Sequence, residues 1–211
     1  MAHGLWQNNL MRTFFLVFCT VMSFAWSLHA GSPAPLALSP ASRLDQPIFE
    51  ISASYLTKIS SPNATHPYRL SSAQFTLKSP GHLRAEIFGG TFAVRATVSL
   101  LAEAVSGGPE SSYFGLAARP SLEWWPREEN YYLFFSPGGG VGWIDSRGVP
   151  GGQGQDLTLN ILIDGGVGIF LNAHSAVKLG VQFQHFSNGG ATDPNPGLNA
   201  LGPVLGFSVV F

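Results

Sequence analysis

Hydrophobic and polar residues alternate with period two along most of the chain after residue 47. Such alternation puts successive side chains on opposite faces of an extended strand. In 47–56 (PIFEISASYL), Phe49, Ile51, Ala53 and Tyr55 share one face, and Glu50, Ser52 and Ser54 share the other. In a second segment Ala73, Phe75 and Leu77 oppose Ser72, Gln74 and Thr76. The third runs from Leu83 to Ala104, with Arg95, Thr97 and Ser99 on its polar face. There Ile87 has one parity and Phe92, Val94, Ala96 and Val98 the other, which predicts a bulge at Gly89–Gly90. A fourth sets Phe114, Leu116, Ala118, Leu122 and Trp124 against Arg119, Ser121 and Glu123. Segments 131–143, 157–171, 181–187 and 201–211 keep the same habit, and none reads as an amphipathic helix.

Eight such segments predict an all-β fold, an eight-stranded antiparallel transmembrane β-barrel. Candidate short turns lie at 78–82, 126–130 and 172–176, and longer Gly/Pro-rich links near 57–68, 105–112, 145–156 and 188–199. Short turns at one end and long loops at the other suit an outer-membrane barrel, with the short ones in the periplasm. A soluble ligand-binding barrel is the alternative, but its outer row would be charge-rich. Here the second row is mostly Ser, Thr, Gln, Asn and Gly. Its few charges (Arg95, Arg119, Glu123, Asp164, Lys178) carry both signs and can pair inside a narrow lumen.

Composition agrees with this reading. The chain is 45% hydrophobic and only 11% charged, against a usual charged fraction of about 25%. A formal net charge of -1 points to no nucleic-acid surface. Arg12 followed by the apolar run 13–28 and then Ala30 reads as a signal peptide over 1–30. A proline- and alanine-rich stretch, 31–46, reads as a flexible lead-in, and 47–211 as the barrel. The only cysteine, Cys19, lies in the signal run, so no disulfide or thiol chemistry is expected of the mature chain. His66, His82 and His174 have no metal-ligand spacing, and neither a metal nor a cofactor is implied.

One placement breaks the pattern. In 181–187 (VQFQHFS), His185 and Ser187 continue the apolar row begun by Val181 and Phe183. Asn199 likewise shares parity with Leu201 through Phe211. Three polar residues thus meet on the lipid-facing side of two neighbouring strands, at their extracellular ends. Polar strand ends are common at membrane interfaces, so position alone decides nothing. Residues two apart stand about 6.6 Å from each other on one face, which lets a leaning imidazole reach a serine hydroxyl. Serine attacks once a base takes its proton, and histidine has a suitable pKa. A third group then fixes the imidazole tautomer.

The runs HFSN (185–188) and PNPGLN (194–199) resemble the lipid A 3-O-deacylases of the bacterial outer membrane, the PagL-type enzymes. Segments 131–145 and 157–172 are similar in a looser way. The resemblance implies an eight-stranded barrel with a Ser-His-acid triad on its outer wall. It implies hydrolysis of the ester-linked acyl chain at the 3-position of lipid A, a carboxylic-ester hydrolase acting on lipopolysaccharide in the outer membrane of a Gram-negative bacterium. Ser187 then corresponds to the nucleophile, His185 to the general base and Asn195 to the oxyanion-stabilising asparagine. The acid of that family falls at position 199, where this chain has Asn199. Asp193 is the only acid in 188–199, and Asp164 has lumen-facing parity. A second reading is a non-catalytic structural or adhesive barrel that has lost the acid; a third is a soluble periplasmic lipid carrier. A second copy of the chain is a further candidate partner. A membrane barrel is expected to resist carbonate and urea washes and to leave the membrane only in detergent; release by the washes would favour the soluble carrier.

Overall fold

The computed structural model describes residues 43–60, 65–127 and 130–211. The signal segment 1–30, Cys19 and the lead-in as far as residue 42 lie outside the described residues. Nine strands form among those described: β1 Ile48–Ser60, β2 Arg69–Lys78, β3 Arg84–Ile87, β4 Gly90–Ser106, β5 Ser112–Pro126, β6 Tyr131–Ile144, β7 Leu157–Phe170, β8 Ser175–Ser187 and β9 Leu198–Val210. All pairings are antiparallel, and β1 joins β9 while β2 joins β4. Strands β1, β2 and β4–β9 therefore close into an eight-stranded barrel. Each of these eight strands is paired on both sides, the condition for strands to cross a bilayer.

β3 is a short strand added beside the periplasmic end of β4. The parity change near residue 89 is its signature, and it corrects the expected bulge. Phe88 (φ 52) and Gly89 (φ 75) form a two-residue turn with both residues at positive φ. Such turns match the twist of the strands that they join. Across the turn Ala85 faces Phe92, so odd residues of β3 share a face with even residues of β4. The link from β2 to β4 is longer than a turn at 78–82. The β4–β5 link, 107–111, is shorter than expected, while 145–156 and 188–197 remain long.

The two faces sort as the alternation predicts. Phe75, Leu100, Phe114, Leu133, Val141, Trp143, Leu157, Ile161 and Val181 all point outward and are exposed. A closed barrel with this apolar outer belt spans a membrane. Inside, Lys78, Arg95, Arg119 and Lys178 are buried with Glu50, Glu103, Glu123 and Asp164, four cations against four acids among the described strand residues. Arg119 pairs with Asp164 at 2.8 Å and Arg95 with Glu123 at 3.0 Å. Lys178 bridges Glu50 (2.8 Å) and Asp164 (3.4 Å), and Lys78 bridges Glu50 (3.3 Å) and Glu123 (3.4 Å). The charges read from sequence as lumen partners do pair, joined by Glu50 and Lys78. Mutual attraction in a region of low dielectric offsets the desolvation of each charge.

Two aromatic and aliphatic clusters end the lumen. At the periplasmic end Trp125 stacks on Tyr132 (4.8 Å between centroids), and the Arg43 guanidinium lies 4.2 Å over Phe170. Arg43 and Leu44 are buried there, and Arg95 donates to the carbonyls of Arg43 and Gln46. The end of stretch 31–46 is thus packed against the barrel. At the extracellular end Leu56, Leu70, Leu101, Tyr113, Ile144, Leu162, Phe186 and Leu198 form the second cluster. Asp164→Ala removes the carboxylate shared by Arg119 and Lys178 and is expected to destabilise the barrel by about 3–5 kcal/mol. The urea midpoint of the detergent-solubilised protein reads this.

Candidate active site

Phe186 sets the geometry of the site. Its ring is fully buried and packs 4.5 Å from that of Tyr113 in the upper lumen cluster. Neighbouring side chains of a strand point to opposite faces, so burying Phe186 turns His185 and Ser187 outward. Tyr113 has room for this contact because the two glycines beside it, Gly115 and Gly142, carry no Cβ, which would collide with its ring. On the outer face His185 is paired with Asn199 of β9 and with Ile161 of β7, and Ser187 with Leu159. Leu159, Ile161, Val181 and Leu201 are exposed around them. The polar group therefore rises from a wall built for acyl chains.

His185 Nδ1 lies 2.7 Å from Asn199 Oδ1. With Nδ1 engaged, Nε2 is the nitrogen left for a serine proton. Among the described residues no hydrogen bond joins Ser187 Oγ to the imidazole. Hydrogen bonds of catalytic groups are often long in unliganded sites and tighten once substrate is bound. An amide can meet an imidazole in two ways. Nδ1–H donates to the amide oxygen, or the rotated amide donates to a bare Nδ1. Only the first leaves Nε2 unprotonated and able to act as a base. A carboxylate permits only the first. Gly197 (φ +60) lies beside the ring, where an added Cβ would meet His185 Cε1 at 3.6 Å.

The β8–β9 loop is held by amides. Asn195 Oδ1 accepts from the Asn188 backbone N–H (3.0 Å), which ties down the oxygen and leaves the Nδ2 hydrogens as its donors. Asn188 is buried, and its amide bonds the carbonyls of Gln153 (2.6 Å) and Thr192 (2.7 Å), while its Oδ1 accepts from Gly190 N–H (2.8 Å). It is a turn former, as the SNGG run suggests.

Sequence reasoning missed the support behind this loop. Gln153 comes from the β6–β7 loop, and its backbone N–H donates to the buried Glu110 carboxylate (3.2 Å). The same carboxylate accepts from Ser146 Oγ (2.9 Å) and Tyr68 OH (2.6 Å). Gly154 (φ +74) comes so near Asp193 and Pro194 that a Cβ would lie 2.8 Å from the Pro194 carbonyl oxygen. Four loops thus meet at Glu110 and Asn188. The signal available in sequence was a lone acid in a Gly/Pro-rich link, too common to single out. Asp193 is exposed, and no ion pair or hydrogen bond joins it to the imidazole among the described residues. Asp164 lies in the lumen with Arg119, on the other side of the wall.

Comparison with known families matches residues 68–208 to the family described as lipid A 3-O-deacylase (PagL). The chain belongs to that family. As a family member with a closed, apolar-belted barrel, it resides in the outer membrane of a Gram-negative bacterium. Among solved structures it is similar to the outer-membrane enzyme PagL, at 16% identity and a TM-score of 0.53, over 75% of this chain and 97% of that one. It is also similar to the Neisserial surface protein A, at 14% identity and a TM-score of 0.47, over 78% of this chain and 97% of that one. At 16% identity the likeness to PagL is one of fold. No curated protein sequence matches the chain. Phe186→Ala opens a cavity behind His185 and Ser187 and is expected to cost about 3–5 kcal/mol. Phe186→Leu should retain most stability, and the two variants' thermal midpoints in detergent check this.

Proposed function

We propose that this protein hydrolyses the ester-linked acyl chain at the 3-position of lipid A, with Ser187 as nucleophile and His185 as general base. The observation that carries the reading is the outward-facing His185–Asn199 pair, two residues from Ser187, in a chain of the PagL family. Substrate reaches such a site by diffusing in the outer leaflet, so no pocket or pore is required. His185 Nε2 takes the hydroxyl proton as Ser187 Oγ bonds to the acyl carbonyl carbon. The tetrahedral oxyanion is met by the Asn195 side-chain amide. Collapse breaks the bond to the sugar oxygen, which leaves with the proton from His185. Water then attacks the acyl-serine through the same base, releasing the fatty acid and restoring Ser187.

Asn199 orients the imidazole but supplies no charge for the imidazolium that forms during attack. In serine proteases the corresponding Asp→Asn change costs about 10⁴ in rate, chiefly through the wrong tautomer. The chain is therefore a slow hydrolase beside members with an acid. A second reading, a barrel without catalysis, is favoured by the same residue, because Asn199 stands where the family carries its acid.

Lipid A from a Gram-negative host expressing the protein separates the two readings by mass spectrometry. The first reading predicts a species lighter by one hydroxyacyl chain, absent with Ser187→Ala. Identical spectra from two folded barrels would support the second. Asn199→Glu is expected to raise deacylation at least about tenfold, since it restores both tautomer and charge; an unchanged rate would show that the acid is not what limits the site.

A further inference from the structure

The outer wall carries almost no charge. Reading register around the eight barrel strands, Arg69 is the only Asp, Glu, Lys or Arg at an outward-facing position among the described residues. It is the first residue of β2, at the same extracellular end as Ser187, the last residue of β8. Its side chain is exposed, and its guanidinium has no ion pair or hydrogen bond among the described residues. The other cations of that end are engaged: Lys58 Nζ donates to the His66 carbonyl (3.2 Å), and Arg147 pairs with Asp156 (3.6 Å).

Register links Arg69 to the site. Arg69 faces Thr57 on β1, Thr57 faces Leu201 on β9, and Leu201 faces Phe183 on β8. His185 and Asn199 stand one same-face step beyond Phe183 and Leu201 toward the loops. Three strand spacings, about 14 Å, separate β8 from β2, and Ser187 stands four residues, about 13 Å, beyond Phe183, so about 19 Å of wall separates Arg69 from Ser187, a span that a disaccharide and the length of the arginine side chain cover together. On a barrel's lipid face Arg or Lys costs roughly 2–4 kcal/mol at the bilayer midplane but about 0–1 near the interface. A solitary cation is thus tolerated at this level, where anionic headgroups lie.

We propose that Arg69 binds a phosphate group of the lipid A headgroup while the 3-linked ester lies at Ser187, which makes it a residue that selects phosphorylated substrate. This rests on the reading above that lipid A is the substrate. The planar guanidinium fork matches two phosphate oxygens, and the low-dielectric surroundings strengthen the pair. Thr57 and Leu201, between the cation and the histidine, form the floor on which the sugar rests.

The test uses the full-length protein in a non-ionic sugar detergent, with bisphosphorylated lipid A and its dephosphorylated counterpart as probes. Binding is measured on the Ser187→Ala background, so that turnover is not needed. Adding Arg69→Gln is expected to weaken binding of the phosphorylated lipid about tenfold, the scale of one lost charged hydrogen-bond pair. Binding of the dephosphorylated lipid should stay unchanged, and Arg69→Lys should fall between. In the protein with Ser187 intact, Arg69→Gln should raise KM and leave kcat in place. Equal weakening for both lipids, or for neither, would overturn the proposal and leave Arg69 an ordinary interface residue. Absence of turnover with phosphate-selective binding intact would instead sink the hydrolase reading alone.

Discussion

A strand cannot send neighbouring side chains to the same face, and the candidate site depends on that constraint. Phe186 is committed to the lumen by its contact with Tyr113, so His185 and Ser187 have only the lipid side left. The β8–β9 register then brings Asn199 to the imidazole, because His185 and Asn199 are direct partners across the ladder. A slip of one residue would bury the polar group in the lumen and expose Phe186. The paired charges inside the barrel resist such a slip, since Lys178 on β8 is tied to Glu50 on β1 and Asp164 on β7. The wall is therefore a rigid mount for a site that has no pocket.

How much could be read from sequence follows from which interactions are local. Face alternation is local, so the barrel, its eight wall strands and the outward position of His185, Ser187 and Asn199 were all legible. The lumen pairs were legible as a class, because few charges fall on that face and they must find one another. The parity change at residues 87–92 was legible too, yet it admits both a bulge and a tight turn. Phe88 at positive φ resolves it as a turn, a conformation rare for a residue with a side chain. What could not be read is the loop layer. Glu110 meets Tyr68, Ser146 and Gln153 across three different connections, and no periodicity records contacts of that kind.

Asn199 is where the site departs from a Ser-His-acid triad. A carboxylate in that place does two things: it accepts from Nδ1–H, and it stabilises the cation formed during attack. The amide retains the first function in one of its two orientations and lacks the second. Its 2.7 Å contact with the imidazole supplies a hydrogen bond and no charge. The same position thus carries both the case for chemistry and the case for slow chemistry.

The central claim, that Ser187 is an activated hydroxyl facing acyl chains, is tested most directly by covalent labelling in the bilayer. An alkyl fluorophosphonate with a long chain partitions into the membrane and phosphonylates only an activated serine. Peptide mapping should find the adduct on Ser187, and His185→Ala should abolish it. An unlabelled Ser187 in a folded barrel, or an adduct that persists without His185, would contradict the account.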